Sequence, residues 1–171
     1  FGSGNPDDYI KGFPMHPHRG IETVTYMIEG VVNHKDSMGN SGIISGGDVQ
    51  WMTSGGGIMH EEMPQPCQRE MVGFQLWVNL PASLKMTTPR YQNIASEQIP
   101  EINREDGVKI RVIAGEVDGI HGPVSDIFAG PTYMDVSIPA NGSFSYPLEG
   151  GHTVFAYVFE GRGIFGTGEK A

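Results

Sequence analysis

His16 and His18 flank a proline in the segment FPMHPHRG, and His60 and Glu62 repeat the same spacing in GIMHEEMP. On a β-strand, residues two apart point to one side, so each pair presents two donor atoms in a common direction. If the two segments pair face to face, three imidazole nitrogens and one carboxylate converge on a point. Such a nitrogen- and oxygen-rich set, without thiolate, suits Fe, Mn, Ni, Cu or Zn and disfavours a structural zinc of the cysteine kind. Four protein ligands on an octahedral ion leave two positions open, where water, dioxygen or a chelating substrate could bind. Pro17 is tolerable at a strand start or edge, where no ladder donor is required.

The elements that must position these residues are strands. The chain carries 25 glycines and 12 prolines among plentiful Val, Ile, Tyr and Phe, a composition that favours short strands and tight turns and predicts an all-β fold. ETVTYMIEG (22–30) sets Val24, Tyr26 and Ile28 against Thr23, Thr25 and Met27, the period of two that a strand requires. If the strand runs unbroken from 16 to 28, His16 and His18 share the face of Val24, Tyr26 and Ile28, which is then the expected barrel interior. VVNHKD (31–36), GDVQWMT (47–53) and MVGFQLWVNL (71–80) continue the series. From Pro81 to Asp106 the pattern loosens into a polar stretch punctuated by Pro89 and Pro100, and GVKIRVIAGEV (107–117) and PTYMDVSIPAN (131–141) then resume it.

An internal repeat joins the two halves. TVTYMIEG (23–30) and VFAYVFEG (154–161) align on Tyr26 with Tyr157 and on Gly30 with Gly161. Carrying the alignment back places Pro147 and Glu149 where His16 and His18 stand. Two copies of one barrel, of which only the first keeps the histidines, would give this pattern. Too few residues follow Gly161 to close a second sheet, so the second copy is expected to be truncated, with an open edge. The start at Phe1, without an initiator methionine, likewise predicts that the natural N-terminus is missing.

Charge and targeting signals narrow the function. With 20 acidic residues against 11 basic, the net charge is −9, which argues against a surface built to neutralise nucleic-acid phosphates. The single cysteine, Cys67, cannot form an internal disulfide and reads as a free thiol near a loop. The segment FGSGNPDDYI has no basic n-region or apolar core, and no run approaches the length of a membrane span. The expectation is a monomeric cytoplasmic protein, or a nuclear one in a eukaryote, without direct contact to nucleic acid or membrane.

HPHRGIETVTYMIEG, HKDSMGN and GDVQWMTSGGGIMHEEMP, continued by GFQLWVNLP and PRYQ, resemble the signature of the pirin family within the cupin superfamily. The resemblance implies a cupin jelly-roll β-barrel in a two-barrel chain: an N-terminal metal-binding barrel over 1–95, a linker at 96–106, and the first part of a metal-free C-terminal barrel over 107–171. It also implies Fe(II) bound through His16, His18, His60 and Glu62. The general cupin pattern, in which a glutamate follows the HxH pair by three or four residues, nominates Glu22 in place of Glu62 as the carboxylate ligand. Two functions follow from the family. One is a quercetin 2,3-dioxygenase-type enzyme that takes a flavonol and dioxygen to a ring-opened ester and carbon monoxide, with Glu62 as ligand or as the base that accepts the substrate proton. The other is an iron-dependent, redox-sensing regulator that acts through a protein partner without turnover. Fold alone does not choose between them.

The remaining polar and aromatic residues have plainer readings. Glu61 is expected to point away from His60 and Glu62 as a solvated carboxylate, His34 to make a structural hydrogen bond, and Asp36 to organise a turn with Gly39 and Asn40. Arg19 is expected to orient a carboxylate of the site or to form an ordinary salt bridge. Trp51 and Trp77 are expected in the core. His121 and His152 have no ligand partner at strand spacing. The glycine triplet at 55–57 lacks the lysine and hydroxyl residue of a phosphate-cradling loop.

Overall fold

The computed structural model describes residues 2–66, 69–148, 150–166 and 169–170. Cys67 and Glu149 lie outside the described residues. Strand accounts for 46% of the chain and helix for 6%, so the all-β expectation holds. From the N-terminus run β1 (Gly2–Ser3), a single helical turn α1 (Pro6–Tyr9), β2 (Phe13–His18), β3 (Ile21–Glu29), β4 (Val31–Asp36), β5 (Ser41–Ser45), β6 (Val49–Thr53), β7 (Ile58–Pro64), β8 (Met71–Asn79) and β9 (Arg90–Ile94). They form two antiparallel sheets, ordered β1-β8-β3-β6-β9 and β2-β7-β4-β5. The sheets face each other as the two layers of a cupin barrel.

The chain crosses between the layers at the β2–β3 turn, where Gly20 takes the left-handed backbone (φ +70°) that an L side chain resists. Because β2 and β3 belong to different sheets, the parity of one does not carry into the other. The expectation that Val24, Tyr26 and Ile28 share the histidine face is therefore overturned. Thr25 faces the site and hydrogen-bonds Glu62, and Met27 packs inside with Val32, Ile44 and Met71. Val24 and Tyr26 turn outward, where with Val49 and Trp51 they meet Ile99, Ile113, Ala114 and Val124 of the C-terminal part. Residues 22–27 are buried without interruption because β3 is covered on both faces.

The C-terminal part begins with a 3-10 turn (Ser96–Gln98) and continues with β10 (Glu101–Asn103), β11 (Lys109–Ala114), β12 (Glu116–Val117), β13 (Ile120–His121) and β14 (Tyr133–Ser137). β10, β11 and β14 make an antiparallel sheet in that order, packed on a cluster of Val108, Ile110, Val112 and Val117. The repeat segment 154–161 forms no strand. Phe155 and Tyr157 stay 70% and 71% exposed, and Tyr157 and Phe159 touch Phe74 of β8 instead of pairing in a ladder. A short hairpin of β15 (Ile164–Phe165) and β16 (Glu169–Lys170) follows.

A polar bridge ties the two parts together. The Tyr26 hydroxyl donates to Asp135 Oδ2 (2.7 Å) and accepts from Arg111 Nη1 (2.8 Å). Arg111 Nη2 also donates to the carbonyls of Gly47 and Ser96. Burial, with the acceptor Asp135 beside it, pushes the Tyr26 hydroxyl well above its usual range, so it remains a donor at any physiological pH. No helix among the described residues is long and apolar enough to cross a membrane.

Candidate metal centre

β2 and β7 pair antiparallel with His16 opposite His60 and His18 opposite Ile58; a register shift lies between Phe13 and His16. The two strands thus bring both imidazoles of β2 onto His60. His16 Nε2 lies 3.0 Å from His18 Nε2 and 3.1 Å from His60 Nε2, and the ligand atoms of all three lie within 4.8 Å of one another. His16 Nδ1 is 2.8 Å from the Pro14 carbonyl. That oxygen can only accept, so the ring carries its proton on Nδ1 and turns the Nε2 lone pair inward.

Electrostatics disfavour protonation of two members of the set, His18 and His60. Burial, aided by the neighbouring His16, His18 and His34, holds His60 down to about 3. His18 is lowered in the same way, by burial first and by His16 second. Neutral imidazoles are what metal ligation needs. His16 Nε2 offers a single lone pair and can accept from only one of its two close neighbours, whereas a cation among the three nitrogens would satisfy them all. The donor chemistry of the triad therefore fits a divalent transition metal.

Glu62 lies on the same face of β7 as His60 but outside the triad. It is 3% exposed and both its oxygens are occupied: Oε1 accepts from Thr25 Oγ1 (2.8 Å) and Oε2 from Gln75 Nε2 (2.6 Å). Thr25 and Gln75 are themselves opposite each other in the β3–β8 ladder. Glu62 and Thr25 also line a cavity of about 210 Å³ walled by Tyr9, Phe13, Val32 and Met71. Sequence reasoning missed both donors, although Gln75 is the one polar residue at the centre of an apolar strand.

The structure does not bring Glu22 to the imidazoles. It is fully buried on the outward face of β3 beside Val24, where Thr53 Oγ1 donates to its Oε1 (2.7 Å) and its Oε2 has no partner. Its cross-strand neighbour is Thr53. Glu61 alternates away from Glu62 and stands opposite Lys35.

Behind the triad, β4 sets Asp36 opposite His60 and His34 opposite Glu62. His34 stacks on Tyr91 (4.6 Å between centroids, 17° between planes) and approaches Asp36 Oδ2 at 3.4 Å. Asp36 accepts from the Met38 and Asn40 amides and from Asn40 Nδ2, the turn chemistry its sequence suggested. These hydrogen bonds, Asn40's foremost, outweigh burial and hold the Asp36 carboxyl below its usual range.

Two expectations at the rim fail. Arg19 is exposed and directs its guanidinium to the Met86 sulfur (3.1 Å). Trp51 is fully buried, but Trp77 is 60% exposed and stands edge-on to His18, 5.2 Å between centroids. Trp77 shares the face of Gln75 on β8, where both side chains are exposed.

Comparison with known proteins gives the family of the barrel. The family model described as Pirin matches residues 1–78. A pirin-like protein of Caulobacter vibrioides is 46% identical over 163 residues, covering 95% of this chain and 59% of that protein. A Thermoplasma acidophilum protein, provisionally named a quercetin 2,3-dioxygenase, is 43% identical over 179 residues, covering 94% of this chain and 69% of that protein. A crystal structure of a quercetin 2,3-dioxygenase from Acinetobacter baumannii superposes with a TM-score of 0.63 at 48% identity, over 68% of this chain and 42% of that one. The chain spans between 50% and 69% of the length of the curated relatives it matches. On sequence and barrel architecture together, the chain belongs to the pirin family of cupins.

Proposed function

We propose that His16, His18 and His60 hold a divalent iron ion and that the protein is a metal-dependent dioxygenase acting on flavonols such as quercetin. The observation that carries the reading is the convergence of three imidazoles, with His16 Nε2 within hydrogen-bond distance of both His18 Nε2 and His60 Nε2. Names of the relatives point the same way. Bound there, the ion would supply Lewis acidity and a template for a chelating substrate and dioxygen.

The chain's own residues supply the rest of the site. The His16–Pro14 contact fixes the tautomer that points Nε2 inward. Glu62, a buried carboxylate beside the triad, would serve as fourth ligand or accept the proton of a substrate hydroxyl. Thr25 and Gln75 orient it from the facing sheet. The cavity that Glu62 lines is walled by Tyr9, Phe13, Val32, Pro64 and Met71, with Asp8 and Lys11 also in its lining, a mixed surface that suits an aromatic molecule carrying polar groups.

The test is anaerobic reconstitution of the full-length protein with Fe(II), then oxygen uptake with and without quercetin, beside a His60→Ala control. Quercetin-dependent uptake that vanishes in the control is expected. Stoichiometric iron with no uptake would overturn the enzyme reading and favour an iron-dependent regulator.

A further inference from the structure

We propose that Phe13 and Trp77 are the aromatic walls of a recognition site at the histidine triad, selecting flat aromatic chelators over other small molecules that bind metal. The proposal rests on the reading of the triad as a metal site for flavonols, and names the side chains that hold the ligand's rings. It starts from where exposed aromatics occur. Among the described residues up to Ile94, Phe13 and Trp77 are the two aromatic side chains that stand exposed, at 51% and 60%. Each lies beside a histidine of the triad, with ring centroids 6.5 Å apart for Phe13 and His16 and 5.2 Å apart for Trp77 and His18.

The backbone brings both rings there. Phe13 and His16 are three residues apart, a spacing that puts two side chains on opposite faces of a regular strand. The register shift between them in the β2–β7 ladder changes that parity, and such irregularities re-aim side chains next to functional sites. Trp77 comes from the other layer, on β8 opposite Thr23. The two rings therefore approach the triad from different sheets.

Neither ring is engaged by its histidine. The planes meet at 57° for Phe13 and 75° for Trp77, so neither pair is stacked, and both aromatic side chains keep surface for a further partner. His60 is fully buried and His18 nearly so, but His16 is only partly buried. The triad thus meets solvent at the histidine beside Phe13. Coordination alone reads only the donor atoms of a ligand, and apolar surface around a few convergent polar groups is what reads its body. The occupant that suits both features is a flat aromatic molecule with its chelating oxygens on one edge: the edge serves the ion, and the rings lie against Phe13 and Trp77.

The test compares two chelators that differ in their rings. The full-length protein, loaded with Co(II) and kept free of oxygen, is titrated with quercetin, followed by the shift of the flavonol absorption band, and with acetohydroxamate, which has no ring, followed by the visible Co(II) spectrum. Trp77→Ala is expected to weaken quercetin about 10-fold and to leave acetohydroxamate unchanged. Trp77→Phe, which keeps an aromatic face, should recover most of the loss. Phe13→Ala should act in the same direction as Trp77→Ala and provides the reading should that variant fold poorly. Quercetin affinity that is unchanged, or that falls in step with acetohydroxamate, overturns the proposal and leaves the flavonol reading standing. Absence of Co(II)-dependent quercetin binding by the unaltered protein overturns that reading and the proposal together.

Discussion

His16 and His60 face each other across the β2–β7 ladder with their Nε2 atoms 3.1 Å apart. Directly opposed residues on neighbouring strands are the closest side-chain pairs a sheet offers, and His18, two positions along, completes the set without any loop. The site is therefore built on two paired strands, with β2 at the edge of its sheet. This placement leads to five expectations.

Removing either imidazole of the opposed pair should abolish tight metal binding. His16→Ala and His60→Ala, each dialysed against Fe(II) and assayed by elemental analysis, are expected to retain no stoichiometric metal. Full loading of both variants would refute the assignment.

Acid should destabilise the metal-free protein. The unfolded chain protonates histidine near 6.5, but folded His60 resists protonation down to about 3. Below pH 6.5 the unfolded state binds the extra proton, so stability present above 6.5 is lost progressively as pH falls toward 3. His18 shifts in the same direction. Thermal melts of chelator-treated protein should show Tm falling across this window, with a shallower fall for His60→Gln.

Metal removal should lower Tm at constant pH. An ion bound only by the folded state contributes about 2.7 kcal/mol at a free concentration of about 100 times Kd. Melts with graded Fe(II) or Co(II) should track that logarithmic dependence, and melts of His60→Ala should ignore the ion.

Trp77 should report on the triad. Its indole lies against His18 and is open to solvent, whereas Trp51 is sealed in the core. Binding of a paramagnetic ion is expected to quench the exposed, red-shifted part of tryptophan emission. Trp77→Phe should remove the metal-dependent part and leave the Trp51 signal.

Glu22 should matter for folding and not for metal. Thr53→Val strips Glu22 of its single hydrogen-bond donor in a buried position, at a cost of about 1–3 kcal/mol. Metal stoichiometry should be unchanged in this variant. A loss of metal without a loss of stability would reinstate Glu22 as a ligand candidate.

The histidines were legible in the sequence because a two-residue spacing has a direct geometric meaning on a strand. So were the turn around Asp36 and the facing of Glu61 away from Glu62, although Glu61 is half-buried opposite Lys35. The facing of β3 was not legible, since periodicity names two faces without saying which is inside. That answer came from the crossing at Gly20. Thr25 and Gln75 were invisible for a related reason: their role exists only where two sheets meet, and neither residue type announces it. Trp77 was misplaced because a large aromatic in an apolar strand is usually covered, and here the strand runs out to the barrel rim. The segment 154–161 has a strand's composition and pairs with no strand among the described residues, so composition alone did not make it one.

Thr25 and Tyr26 are adjacent on β3 and point in opposite directions, one to Glu62 and the other to Arg111 and Asp135. A slip of β3 by one residue would exchange the faces, presenting either a phenol to the carboxylate and a thioether to the guanidinium, or an isopropyl group to the carboxylate and a hydroxyl to the guanidinium. The C-terminal sheet thus serves as a locating pin. Its bond to Tyr26 indexes the strand whose next tooth meshes with the site, so the half of the chain without the metal-site histidines keeps the other half in alignment.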